Sequence, residues 1–181
     1  NSTLTSFSLP YFKVSGGEYF YINDNPELLT VDLPEYKTAE GYFWVYENNK
    51  IESVSVDKLE STGKSFGISN NPMLKEFSAK NLKSTGAGVW IYNNGKLESF
   101  ELPALTSVKK SVGIYGNSEL TDFALSNLVT IGRTLQIHNN PLLVKMKMEK
   151  LESIAMDSAD CDGLNFYGNK AIEYFELPAL K

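Results

Sequence analysis

The stretch ISNNPMLKEF, residues 68–77, has two close relatives in the same chain, INDNPELLTV from Ile22 and IHNNPLLVKM from Ile137. Their prolines, Pro26, Pro72 and Pro141, stand 46 and 69 residues apart, both multiples of 23. A fixed period of this length marks an array of stacked units. Aligned on the second Asn of each pair, repeats begin at Asn1, Asn25, Asn49, Asn71, Asn94, Asn117, Asn140 and Asn169, with steps of 24, 24, 22, 23, 23, 23 and 29. The cleanest copy is NGKLESFELPALTSVKKSVGIYG from Asn94. Seven full repeats and an eighth that stops at LPALK make residues 1–181 a single repeat domain. The chain starts on a repeat boundary, stops inside a repeat and shows neither a start Met nor a signal peptide. The expectation is therefore a mature or excised segment of a longer protein.

Each repeat carries two short apolar segments. The first is L-x-x-F-x-L, as in Leu97, Phe100 and Leu102; the second is h-x-h, as in Val112 and Ile114, where h is apolar. The second has strand alternation, and neither keeps helical spacing for more than one turn. Pro, Gly, Ser and paired Asn between them leave no room for a helix. A coil this short cannot bury its own apolar side and must stack on its neighbours, with equivalent strands parallel and about 4.8 Å apart. The reading is an all-β, β-helix-like solenoid of about eight 23-residue coils. Leu4, Leu28, Ile51, Leu74, Leu97, Leu120, Leu143 and Ile172 form one inward column, and Ile68, Ile91, Ile114, Ile137 and Phe166 another. The paired Asn residues are corners: Asn tolerates the left-handed backbone of a sharp turn, and its amide can bond its counterparts in a ladder along the stack.

The net charge of −5 and the scattering of Lys among Glu argue against a phosphate-binding surface, so no nucleic-acid partner is expected. No apolar run reaches the 18 or so residues of a membrane span. The single cysteine, Cys161, excludes an internal disulfide framework, and the single histidine, His138, excludes a His-based metal cluster or triad. No outward column sets two acids on adjacent coils beside the sole Arg, Arg133, as a β-helix enzyme acting on polysaccharide would need. No catalytic residue, metal or cofactor is expected.

The pattern L-x-x-F-x-L-P-x-L-x-x-V-x-x-x-V-x-I-x-x-N-N, best carried by Leu97 to Gly116 and Leu120 to Asn139, resembles the receptor L-domain repeat. It is most similar to the form found in fungal-type GPI-anchored cell-wall proteins and related surface proteins. The resemblance implies a right-handed solenoid, an extracellular or cell-surface setting, and a binding or structural role without catalysis. Asn1-Ser2-Thr3 is the one N-x-S/T sequence, read as a first corner rather than a glycan site.

Two outward faces differ. Beside the first segment the middle column reads Ser8, Asp32, Ser55, Ser78, Glu101, Ala124, Lys147 and Glu176, an ordinary solvated surface. On the second, Tyr21, Trp44 and Trp90 share one outward column, interrupted by Gly67 and Gly113. The neighbouring column holds Tyr46, Ser69, Tyr92, Tyr115, His138 and Tyr167. Aromatic faces suit both sugar rings and protein hot spots. Tyr21, Trp44, Tyr46, Trp90, Tyr92, Tyr115 and His138 are therefore the candidate ligand-binding residues, with a protein or carbohydrate as ligand. Sheet-stabilising ring stacking is the competing reading of the same strip. Alternatively the chain is a structural array component of a wall, surface layer or filament, with copies meeting at the solenoid ends. An insertion at 155–163, AMDSADCDG, places Asp157, Asp160 and Asp162 before Gly163. It lacks the closing Glu of a calcium loop and reads as a solvated acidic loop.

Overall fold

The computed structural model describes residues 1–154 and 163–181. Asp157, Asp160, Cys161 and Asp162 of the insertion lie outside the described residues. Among the described residues there are 21 strands and no helix, and the strands pair in parallel with their counterparts one coil away. They lie on three faces. Face A carries Ser6–Ser8, Thr30–Asp32, Ser53–Ser55 and Glu76–Ser78 in one sheet, and Ser99–Glu101, Asp122–Ala124 and Lys145–Lys147 in another. Face B is built of two-residue strands, from Val14–Ser15 through Ser84–Thr85 to Ser153–Ile154. Face C runs through Tyr19–Asn23, Tyr42–Tyr46, Phe66–Ser69, Val89–Tyr92, Val112–Tyr115, Leu135–His138 and Leu164–Tyr167.

The β-solenoid of 23-residue coils is as the repeat implies, with two corrections. It makes about six turns rather than eight coils. Eight Asn marks bound seven intervals, and seven strands on one face rise through only six pitches. The last repeat forms no strand, although the Lys181 amide still donates to the Glu152 carbonyl at 3.0 Å. Face B is the second correction. Two-residue strands are too short for alternation to show in the sequence.

The corner also divides its labour differently from the expectation. The left-handed residue is the one before each ladder Asn: Asp24, Glu47, Asn70, Asn93, Gly116, Asn139 and Gly168. The ladder residue turns inward and is buried: Asn25, Asn48, Asn71, Asn94, Asn117, Asn140 and Asn169. Asn48, not Asn49, therefore holds the third position, and from Asn25 onward the ladder steps become 23, except for 29 across the insertion. The inner rungs Asn71, Asn94, Asn117 and Asn140 repeat one pattern. Asn94 Nδ2 donates to the Ile68 carbonyl at 2.9 Å and to Asn117 Oδ1 at 3.4 Å, while Asn94 Oδ1 accepts the Asn71 backbone amide at 3.3 Å. A turn that would otherwise bury unpaired peptide groups is thus satisfied from within.

Packing conserves volume from the second coil to the fifth. In the second and third coils the inward pairs are Val31 with Phe43 and Val54 with Phe66. In the fourth and fifth they are Phe77 with Val89 and Phe100 with Val112. The large ring changes from face C to face A between the third and fourth coils, where Phe66 stacks on Phe43 at 5.5 Å and meets Phe77 at 6.2 Å. Ion pairs mark the same register on the surface. Lys50–Glu27, Lys75–Glu52 and Lys83–Glu60, each at 2.7 Å, join residues 23 apart. Half-exposed pairs are worth roughly 0–1 kcal/mol each, so they specify register more than they stabilise.

Tyr36 takes the place of the Leu found there in later coils. Its ring is fully buried and its hydroxyl lies 2.6 Å from Ser15 Oγ. Burial pushes the phenol up to about 12, outweighing the opposing hydrogen bond with Ser15. A raised folded pKa supplies stability that is intact below the ordinary value of 10.0 and is lost as pH rises through about 12. Unfolding free energy should therefore fall by roughly 2–3 kcal/mol between pH 10 and 12 from this group. The Tyr36→Phe protein, measured beside the parent in alkaline urea titrations, should lack this component. Parallel curves for the two proteins would show that Tyr36 ionises freely.

Candidate functional site: the aromatic face

Pairing along face C sets the outward columns directly. Tyr21, Trp44, Gly67, Trp90, Gly113, Gln136 and Asn165 follow one another on successive coils. Beside them run Asn23, Tyr46, Ser69, Tyr92, Tyr115, His138 and Tyr167. All seven candidate residues therefore lie on one face of the solenoid. Ile22, Val45, Ile68, Ile91, Ile114 and Ile137 alternate with them and anchor each strand in the core.

The second column contains a four-ring stack. Tyr92 and Tyr115 are 4.8 Å apart at 9°, Tyr115 and His138 4.6 Å at 10°, and His138 and Tyr167 4.6 Å at 3°. Their spacing is that of the strands themselves, so the sheet imposes it. Burial holds the His138 imidazole below its ordinary value, and its Nδ1 is buried without a hydrogen-bond partner. That favours the neutral ring, a planar rung among the tyrosines.

The glycines do not interrupt the first column; they seat the tryptophans. A Cβ on Gly67 would stand 2.2 Å from Trp44 Cε2, and one on Gly113 2.5 Å from Trp90 Cε3. Each indole thus lies across the bare backbone of the following coil. Both tryptophans are half-buried, whereas Tyr21 at 41% and Tyr167 at 55% are the more exposed rings. The two indoles are turned differently. Trp44 donates Nε1–H to Ser69 Oγ at 2.9 Å, while Trp90 Nε1 faces the Gly88 backbone. Tyr115 stands beside Gly113 where Ser69 stands beside Gly67.

Ser69 therefore opens a cleft of about 270 Å³ in the ring column, lined by Tyr21, Trp44, Tyr46, Glu47, Ser69, Asn70 and Tyr92. Tyr21 meets Tyr46 edge-on at 5.8 Å and closes its outer side. Glu47 and Asn70 were missing from the sequence reading because they are corner residues outside the strand alternation. Tyr19 and Tyr42, stacked at 5.6 Å, were missed as well, although each is simply the next outward position before Tyr21 and Trp44. Lys64, paired with Glu18 at 2.8 Å, holds its ammonium 5.3 Å from the Tyr42 ring centroid.

Face A is less featureless than its solvated reading. A broader groove of about 650 Å³ crosses the seam between Glu76–Ser78 and Ser99–Glu101, the one junction where its two sheets do not join. Phe77 and Phe100 floor it at 7% and 6% exposure. Its walls alternate acids with lysines, and some are already paired, as Asp57 is with Lys80 at 2.6 Å. Burial of Asp57 is outweighed by hydrogen bonds from Lys80 and Ser78, so its carboxyl stays below the ordinary value. Among the described residues no group of three His, Cys, Asp or Glu side chains is placed to hold a metal ion. Comparison with family models, with curated proteins and with solved structures finds no match to this chain.

Proposed function

We propose that this chain is a non-catalytic module of the cell surface or extracellular space that binds a protein or glycan ligand through face C. In this reading the coil is right-handed and of the receptor L-domain type that the repeat pattern resembles. One observation carries the proposal. Face C presents a column of evenly spaced, half-exposed rings, with a cleft opening where a single ring is missing. Flat aromatic surface of this kind is rigid before binding, so little side-chain entropy is lost on contact, and Tyr and Trp dominate interface hot spots for that reason.

The test is a screen of the folded chain against immobilised panels of glycans and extracellular protein domains, followed by substitution on the strip. Trp90→Ala removes the central indole, and Tyr115→Ser copies the residue that Ser69 already places in the same column. A ligand that uses the strip should bind at least one of these variants about thirtyfold more weakly, a hot-spot loss of about 2 kcal/mol. Unchanged affinity in both variants, with the fold intact by circular dichroism, would reduce the strip to sheet packing.

A further inference from the structure

We propose that the cleft over Ser69 is a socket for a planar cation, the guanidinium group of an arginine side chain on a partner protein. The proposal rests on the binding role of face C and identifies the chemistry that this face selects. Tyr46 and Tyr92 lie two coils apart in the ring column, roughly 9–10 Å by strand spacing, with Ser69 between them. Once the thickness of the rings is deducted, about 6 Å of that separation remains, room for one flat group and too little for two. Trp44 and Ser69 form the floor, and the indole N–H is already consumed by Ser69 Oγ.

Charge decides among flat groups. The only formal charge lining the cleft is the Glu47 carboxylate, and no Lys or Arg is among the lining residues. Tyr46 also senses Asp24 on the same edge, where its phenol is raised by burial and by the charges of Glu47 and Asp24. Glu47 is exposed, so its carboxylate stays hydrated beside a neutral sugar, but it repels an anion and attracts a cation. A guanidinium can stack on a tyrosine face and reach the carboxylate with its N–H edge. The face already holds a cation over a tyrosine within itself, the Lys64 ammonium over the Tyr42 ring.

Acetyl-arginine amide is the probe, with acetyl-lysine amide, acetyl-phenylalanine amide and methyl glucoside as controls. The readout is the pair of tryptophan indole N–H resonances in ¹⁵N-labelled protein, assigned with Trp90→Phe. The arginine probe should shift the Trp44 resonance saturably and leave that of Trp90 still, with affinity at least about fivefold above each control. Glu47→Gln should weaken it about threefold. Ser69→Tyr should abolish it by restoring the missing ring. That variant has its precedent one repeat pair later, where Trp90, Gly113 and Tyr115 coexist. Its fold is checked by the amide spectrum. Equal affinity for the lysine probe would mean a point-charge site, and stronger binding of phenylalanine or glucoside a neutral one; either overturns the proposal. So does a motionless Trp44 resonance. None of these failures touches the strip reading, which stands or falls on the panel ligand and on Trp90→Ala and Tyr115→Ser.

Discussion

Replacing Asn94 with alanine should lower unfolding free energy by about 3–5 kcal/mol, more than most single substitutions cost. The residue is fully buried, and its amide is shared by three coils. Without it the Asn71 backbone amide loses its acceptor, one Asn71 Nδ2 hydrogen is stranded, and the Ile68 carbonyl loses a donor. A buried polar group left unpaired costs about 1–3 kcal/mol, and three such groups are left at this corner. The same substitution at Asn25 should cost only about 1–2 kcal/mol. There the rung before it is the exposed amino terminus, which solvent can satisfy. Equilibrium urea unfolding of both variants supplies the comparison. A loss below about 1 kcal/mol at Asn94 would mean that the corner is held by backbone geometry and that the ladder is ornamental.

Phe66→Ala should cost about 4 kcal/mol, because a fully buried ring between Phe43 and Phe77 is replaced by a cavity. The more telling experiment moves the ring instead of deleting it. Phe66→Val should cost about 2–3 kcal/mol by cavity formation, and Val54→Phe about 1–3 kcal/mol by overpacking. Together they give the third coil the arrangement that Phe77 and Val89 already have in the fourth. The double variant should therefore be closer to the parent than either single one, a coupling of about 2 kcal/mol or more. Additive losses would show that the two faces pack independently and that the ring cannot cross the core.

Much of this architecture could be read directly from residue order. The period of 23 identifies the coil, the L-x-x-F-x-L and h-x-h segments identify faces A and C, and the alternation on face C brings Tyr21, Trp44 and Trp90 into one column. These are consequences of local rules, a repeat that must stack and a strand whose side chains alternate, and such rules act on neighbours in sequence. The exchange of Phe between faces at the third and fourth coils is also written in the chain, although it gains meaning only once the two faces are known to share a core.

What the tertiary structure decided lies in contacts between coils. Asn48 rather than Asn49 joins the ladder because its amide, not its neighbour's, reaches the Ile22 carbonyl and Asn25. The glycines at 67 and 113 look like gaps in a column of rings until the indoles are seen lying across them. Ser69 looks like one polar residue among tyrosines, yet its small side chain lets Trp44 turn toward it and opens the cleft above. Each of these depends on the direction of a side chain relative to a backbone 23 residues away. Periodicity determines which residues become neighbours; only packing determines which of them fills the space and which leaves it open.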